Sequence, residues 1–172
     1  MLFRSGPLIA QHEFFLKGTE TTDQLTTALF ELGGKLLEES LPQWQSGELL
    51  SEPQDESLAS VTRKLTRVDG LADWSLTADE LERRARAFTP WPGLFTDWNG
   101  SGLKLVAVAF VASDSEEFEP GTVVATDHPD LPAAVATSKG FLGLKTVQLE
   151  GKRAVDVKDF LNGAPDFIGA RL

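Results

Sequence analysis

The apolar positions change their period along the chain, and each change marks a different element. Residues 7–16 follow a Gly-Pro turn and place Leu8, Ile9, Phe14 and Phe15 in a pattern that predicts a buried strand. From Thr21 the apolar residues are Leu25, Leu29, Leu32, Leu36 and Leu41, at intervals of four, three, four and five. That spacing predicts an amphipathic helix, with Thr21 and Gln24 forming a capping box at its start. Gly33-Gly34 weakens this helix, and Pro42 is expected to kink or end it ahead of a polar loop. A strand followed by a helix is the tail of an α/β layer, which needs further strands beside it. Only one such strand is predicted, so the opening segment reads as incomplete, and the chain is expected to begin inside a larger domain.

Residues 56–74 have weak periodicity and a basic centre at Arg63, Lys64 and Arg67, which predicts a linker. "TADELERRARAF" predicts a short helix with Thr77 and Glu80 as its capping box and Leu81, Ala85 and Phe88 on one stripe. It must stop at "TPWPG". The period then becomes two. Residues 103–111, 121–126, 133–137 and 144–150 predict short strands separated by Gly, Pro and Asp clusters, the pattern of a small barrel or sandwich. A last helix, "VKDFLNG", is predicted to end with Gly163 just past its final turn.

Charge refines this picture. The formal net charge is −10, but it is unevenly spread. Residues 1–58 carry −7 and residues 100–138 carry −5, whereas residues 59–74 carry +1 and residues 139–172 carry +2. Positive charge therefore gathers in a middle and a C-terminal segment, where a local basic face is compatible with an acidic whole. The basic positions are Arg63, Lys64 and Arg67, then Arg83, Arg84 and Arg86, then Lys145, Lys152, Arg153 and Lys158. The chain has no cysteine, which excludes disulfides and thiolate chemistry. No apolar run approaches the ~20 residues of a membrane span.

Candidate catalytic residues are few. His12 stands beside Glu13 with no metal-ligand spacing, and reads as structural. His128 sits in "TDHPD", which is good turn chemistry. The acidic run 113–119 lacks the order of a calcium loop and reads as a solvated connection. Trp91, Phe95 and Trp98 are expected to pack between helix and barrel rather than to stack on a nucleic-acid base.

"RAFTPWPGLF", "LKLVAVAFV", "PGTVV", "VATSKGFLGLKTVQLEGKR" and "DFLNGAPDF", in that order, resemble the methionyl-tRNA formyltransferase family. The resemblance extends from Ser5 to Leu172, because "GPLIAQHEF", "LFELGGKLLEESLP" and "QDESLASVTRKLTRVDGLADW" are similar to the end of the family's catalytic domain and its linker. It implies a Rossmann-like domain that moves a formyl group from 10-formyltetrahydrofolate to the amino group of methionyl initiator tRNA, followed by an OB-like tRNA-binding barrel. Residues 1–58 would be the remnant of the first, 59–74 the basic linker and 75–172 the barrel.

The family's catalytic residues are an Asn, a His and an Asp, the Asp directly before a Ser/Thr-Gly-Asp/Pro turn. Ser5-Gly6-Pro7 matches that turn, but Arg4 stands where the Asp belongs. No catalytic residue is carried over, and the chain is expected to be inactive in formyl transfer by itself. Arg63, Lys64, Arg67, Lys152 and Arg153 are the expected tRNA phosphate contacts. Neither folate nor a metal is expected on this chain. A cytoplasmic monomer that binds neither DNA nor membrane is implied. The alternatives are a non-catalytic RNA-binding module, or a related sugar-amine formyltransferase or formyltetrahydrofolate hydrolase.

Overall fold

Thr21 accepts a hydrogen bond from the Gln24 amide and Gln24 reaches back to the Thr21 amide, and this reciprocal cap starts the helix α1, Thr22–Ser46. The computed structural model describes residues 6–112 and 118–172. Arg4, Ser5 and most of the acidic run 113–119 therefore lie outside the described residues. The chain divides into two compact units, Met1–Lys64 and Leu65–Leu172.

In the first unit, α1 passes through Pro42 and ends at Gly47, whose φ of 82° gives a left-handed cap. Pro42 thus does not terminate the helix. It costs one backbone bond in the last turns, and the terminal carbonyls are met instead by the Gly47 and Leu49 amides. The strand expected over residues 7–16 does not form. Leu8 and Glu52 exchange two backbone bonds, at 2.7 and 2.8 Å, in a single antiparallel bridge. A solitary segment cannot satisfy its amides and carbonyls as a strand, so the tail of an α/β layer is not seen among the described residues. Nothing in α1 is buried, and Phe30, Leu37 and Trp44 are exposed.

The second unit is built on an antiparallel sheet. Its strands are β1 Leu94–Trp98, β2 Ser101–Val111, β3 Val123–Ala125, β4 Ala133–Ala136, β5 Phe141–Leu149 and β6 Val155–Asp156. They run in the order β1-β2-β5-β4-β3, with β6 pairing β5 beyond the end of β4. The four strands predicted by period two are all present. β1 and β6 are additional. The register slips between Leu105 and Val108, a bulge that bends β2 and curls the sheet. The ends of the strand order are covered by irregular chain. Leu71 bridges Phe95 on β1, while Gly169 and Ala170 bond Val123 and Leu172 bonds Gly121 beside β3.

Helix α2, Ala78–Ala87, has the predicted Thr77–Glu80 cap and buries Ala78, Leu81 and Ala85 against the sheet. Burying Leu81 completely is worth about 1.5–3 kcal/mol. Helix α3, Val157–Gly163, packs against β5. Gly163 is its last helical residue and Ala164 its cap, so the glycine does not act from outside the helix. Trp98 meets Phe160 and Phe167 edge-to-face at 5.4 and 5.3 Å, in keeping with core packing for that tryptophan. Ala72 and Trp74, within the segment that read as linker, are also core residues of this unit.

Candidate nucleic-acid interface

Arg67 opens a short 3-10 turn, Arg67–Gly70, whose start is fixed by Asp69. The Asp69 carboxylate accepts from the Thr66 amide at 2.6 Å and from the Thr66 hydroxyl at 2.9 Å. Gly70 allows this turn to seat on the next one. A Cβ there would lie 2.1 Å from the Gly93 carbonyl oxygen. Gly93, at φ +75°, closes the turn after α2 by donating its amide to the Phe88 carbonyl at 2.9 Å. Ala72 then donates to the Phe95 carbonyl at 2.8 Å. These constraints hold the Arg67 guanidinium 5.4 Å from the centre of the Phe95 ring, a cation–π contact.

Beside this pair lies a cleft of about 300 Å³, lined by Arg67, Trp91, Phe95, Lys104, Gln148 and Glu150 among others. Lys104 and Gln148 are cross-strand partners on β2 and β5, so they present side chains to the same face. The turn after β5 closes the far end. Its Lys152 amide donates to Leu149 at 2.9 Å, and the Gln148 side-chain amide donates to the Lys152 carbonyl at 2.8 Å. Gly151 lines the cleft, and Lys152 and Arg153 follow it, both exposed. Glu150 is the one carboxylate of the lining, and it accepts from the Gly102 amide at 3.3 Å.

The cleft brings Arg67 together with the turn that carries Lys152 and Arg153. Arg63 and Lys64 close the first unit, where both are exposed and Arg63 Nη1 donates to the Lys64 carbonyl at 3.3 Å. On α2, Arg83 pairs with Asp79, and Arg86 Nε pairs with Glu82 at 2.8 Å, so those charges are locally balanced. His128 does form a turn, accepting the Asp130 amide on Nδ1 at 3.1 Å. Among the described residues no three His, Cys, Asp or Glu side chains cluster as a metal site would require.

The sequence assigns neither Lys104 nor Trp91 to the site. Lys104 was hidden because a lysine within "LKLVAVAFV" reads only as the outward half of a strand alternation. Trp91 was expected in the core, and the structure contradicts this: it is 58% exposed at the cleft. The stripe that ends at Phe88 does not continue through the prolines, because the chain turns at Gly93 and carries residues 90–92 outward. Phe95 is half-buried beneath Arg67.

A domain of this architecture has known counterparts. The chain belongs to the family described as "Formyl transferase, C-terminal domain", whose family model matches residues 64–165. Within that family it is similar to the methionyl-tRNA formyltransferase of Roseiflexus sp. (strain RS-1), 40% identical over 168 residues that make up 98% of this chain and 51% of that protein. It thus spans about half the length of the curated relatives it matches. Among solved structures, a HypX variant from Aquifex aeolicus superposes with a TM-score of 0.68 at 15% identity, covering 96% of this chain and 30% of that one. The sugar 3N-formyl transferase WlaRD superposes with a TM-score of 0.56 at 18% identity, covering 87% and 51%. These two likenesses concern the fold alone.

Proposed function

We propose that this chain is the tRNA-gripping part of a methionyl-tRNA formyltransferase. In this reading the whole enzyme transfers a formyl group from 10-formyltetrahydrofolate to the amino group of methionyl initiator tRNA, in the cytoplasm, during translation initiation. Residues 1–58 are the end of its catalytic domain. Residues 75–172 form an OB-like tRNA-binding domain, and residues 59–74 are the basic stretch between them. No residue of this chain is assigned to the formyl donor or to the chemical step. The role here is binding and orientation of the RNA.

The observation that carries the reading is the cleft's charge. In a chain of net charge −10, Arg67 and Lys104 line the cleft beside one carboxylate, Glu150, and Lys152 and Arg153 directly follow its Gly151 in the sequence. Phosphates are attracted by such a local excess, and each one neutralised releases counterions, so affinity falls as salt rises. In this reading Arg67 and Lys152–Arg153 touch phosphates in the second unit, and Arg63 and Lys64, at the end of the first, supply two further phosphate contacts. An RNA held this way is positioned through its backbone rather than through its sequence.

A salt titration of initiator-tRNA binding tests the reading. Removing two contacts in the double variant Lys64→Ala/Arg67→Ala should flatten the slope of log affinity against log salt by about two, one for each lost phosphate. An unchanged slope removes those two residues from the interface. The amino-sugar and hydrolase readings draw no support from the sugar enzyme's fold, since 18% identity carries no substrate information.

A further inference from the structure

Resting on the RNA-binding reading, we infer that the cleft beside Trp91 is a subsite for one unpaired nucleotide, whose base stacks on the Trp91 indole while its phosphates meet Arg67 and Lys104. Three features select this ligand. First, Trp91 has more than half of its surface exposed, an unusual state for the largest apolar side chain, and its ring borders the cleft. An exposed indole flanked by cations matches a nucleotide, which offers a flat π-face and an anion a short distance apart.

Second, the cleft's cations are held by different means. The Arg67 guanidinium lies on Phe95, so it points a fixed fork at the cleft. The Lys104 chain passes across Gly93, where even a methyl group would fall 2.7 Å from its Cε, and it ends in an ammonium. Third, the volume of about 300 Å³ is at the small end of ligand clefts and suits a single nucleotide, not a paired helix. The polar groups on the β5 side are chosen for a base edge. Gln148 uses one of its two amide N–H groups on the Lys152 carbonyl, which orients its side-chain oxygen as an acceptor beside the remaining N–H, and the Glu150 carboxylate is a second acceptor. Both favour a base that presents exocyclic N–H groups.

Two hairpin RNAs with the same stem test the subsite, one blunt and one with a short adenine-rich single-stranded 3′ overhang. Binding of the overhang hairpin should quench tryptophan fluorescence, and Trp91→Ala should weaken it about tenfold while changing the blunt hairpin less than twofold. Trp91→Phe should recover most of that affinity, because a phenyl ring still stacks. Equal weakening of both hairpins by Trp91→Ala, or no weakening of either, overturns the stacking subsite while leaving the RNA-binding reading intact. Failure of the unsubstituted chain to bind either hairpin overturns the RNA-binding reading and the subsite with it.

Discussion

Gly70→Ala is the most informative single substitution, because one methyl group there acts on both stability and binding. Its Cβ would be 2.1 Å from the Gly93 carbonyl oxygen, where real contacts stay above 3.0 Å, and 3.3 Å from Phe95 Cδ1. The obstructing atom is backbone, so it cannot swing aside as a flexible side chain would. The two turns must separate by roughly 0.9 Å, which loosens the Ala72–Phe95 bond and lifts Arg67 from its ring. Overpacking of this kind costs about 1–3 kcal/mol. At about 2 kcal/mol, a unit of this size should melt roughly 9 °C lower.

Thermal unfolding followed by circular dichroism reads the first effect, and RNA binding measured at low temperature, where the protein remains folded, reads the second. Affinity should fall there by as much as is expected for Arg67→Ala. Gly34→Ala is the control. Nothing lies within 4 Å of its added methyl group inside α1, so it should stabilise the helix by about 0.5–1 kcal/mol. A Gly70→Ala protein that melts and binds like the unsubstituted chain would refute the claim that the two turns are in contact and that their contact aims Arg67.

Acid should weaken the cap of α2. The Thr77 amide and then its hydroxyl hold the Glu80 carboxyl below its usual range, so this contribution is present above that range and is lost as pH falls through the lowered folded-state value. Urea unfolding between pH 7 and pH 3 should therefore show a smaller loss in Glu80→Gln than in the unsubstituted protein, and parallel curves would remove Glu80 from the account. Leu81→Ala, which empties a fully buried position between α2 and the sheet, should cost about 2.7–5 kcal/mol in the same assay.

The parts of the fold that were legible in the sequence are those with local causes. Thr21–Gln24 and Thr77–Glu80 announce helix starts because a cap is a bond between near neighbours. The strands around β2 and β5 announce themselves because one face of each is buried. β1 was missed although Leu94 and Thr96 alternate inward, since five residues directly after a Pro-Gly turn give too short a run to separate from the turn itself. Residues 7–16 failed in the opposite sense. Their composition is that of a strand, but a strand is made by its partner, and among the described residues only Glu52 pairs with them.

The candidate site divides in the same way. Arg67, Lys152 and Arg153 stood out as charges in charge-rich stretches, but nothing local ties residue 67 to the turn at Gly151. That proximity comes from the pairing of β2 with β5 and from the two glycine turns. Lys104 and Trp91 were illegible for the same reason. Each becomes a site residue only through chain brought to it from elsewhere.

The Ala72–Phe95 hydrogen bond closes the exposed side of β1 and sits two residues beyond the turn that carries Arg67. A fluctuation that breaks it therefore has two results at once: it leaves a strand edge open for another chain, and it releases the guanidinium from its ring. On the function proposed above, RNA binding and resistance to aggregation should therefore follow a single local opening equilibrium. The exchange rate of one backbone proton, the Ala72 amide, reports both, and an RNA that fastens Arg67 in place should slow that proton and protect the sheet edge together.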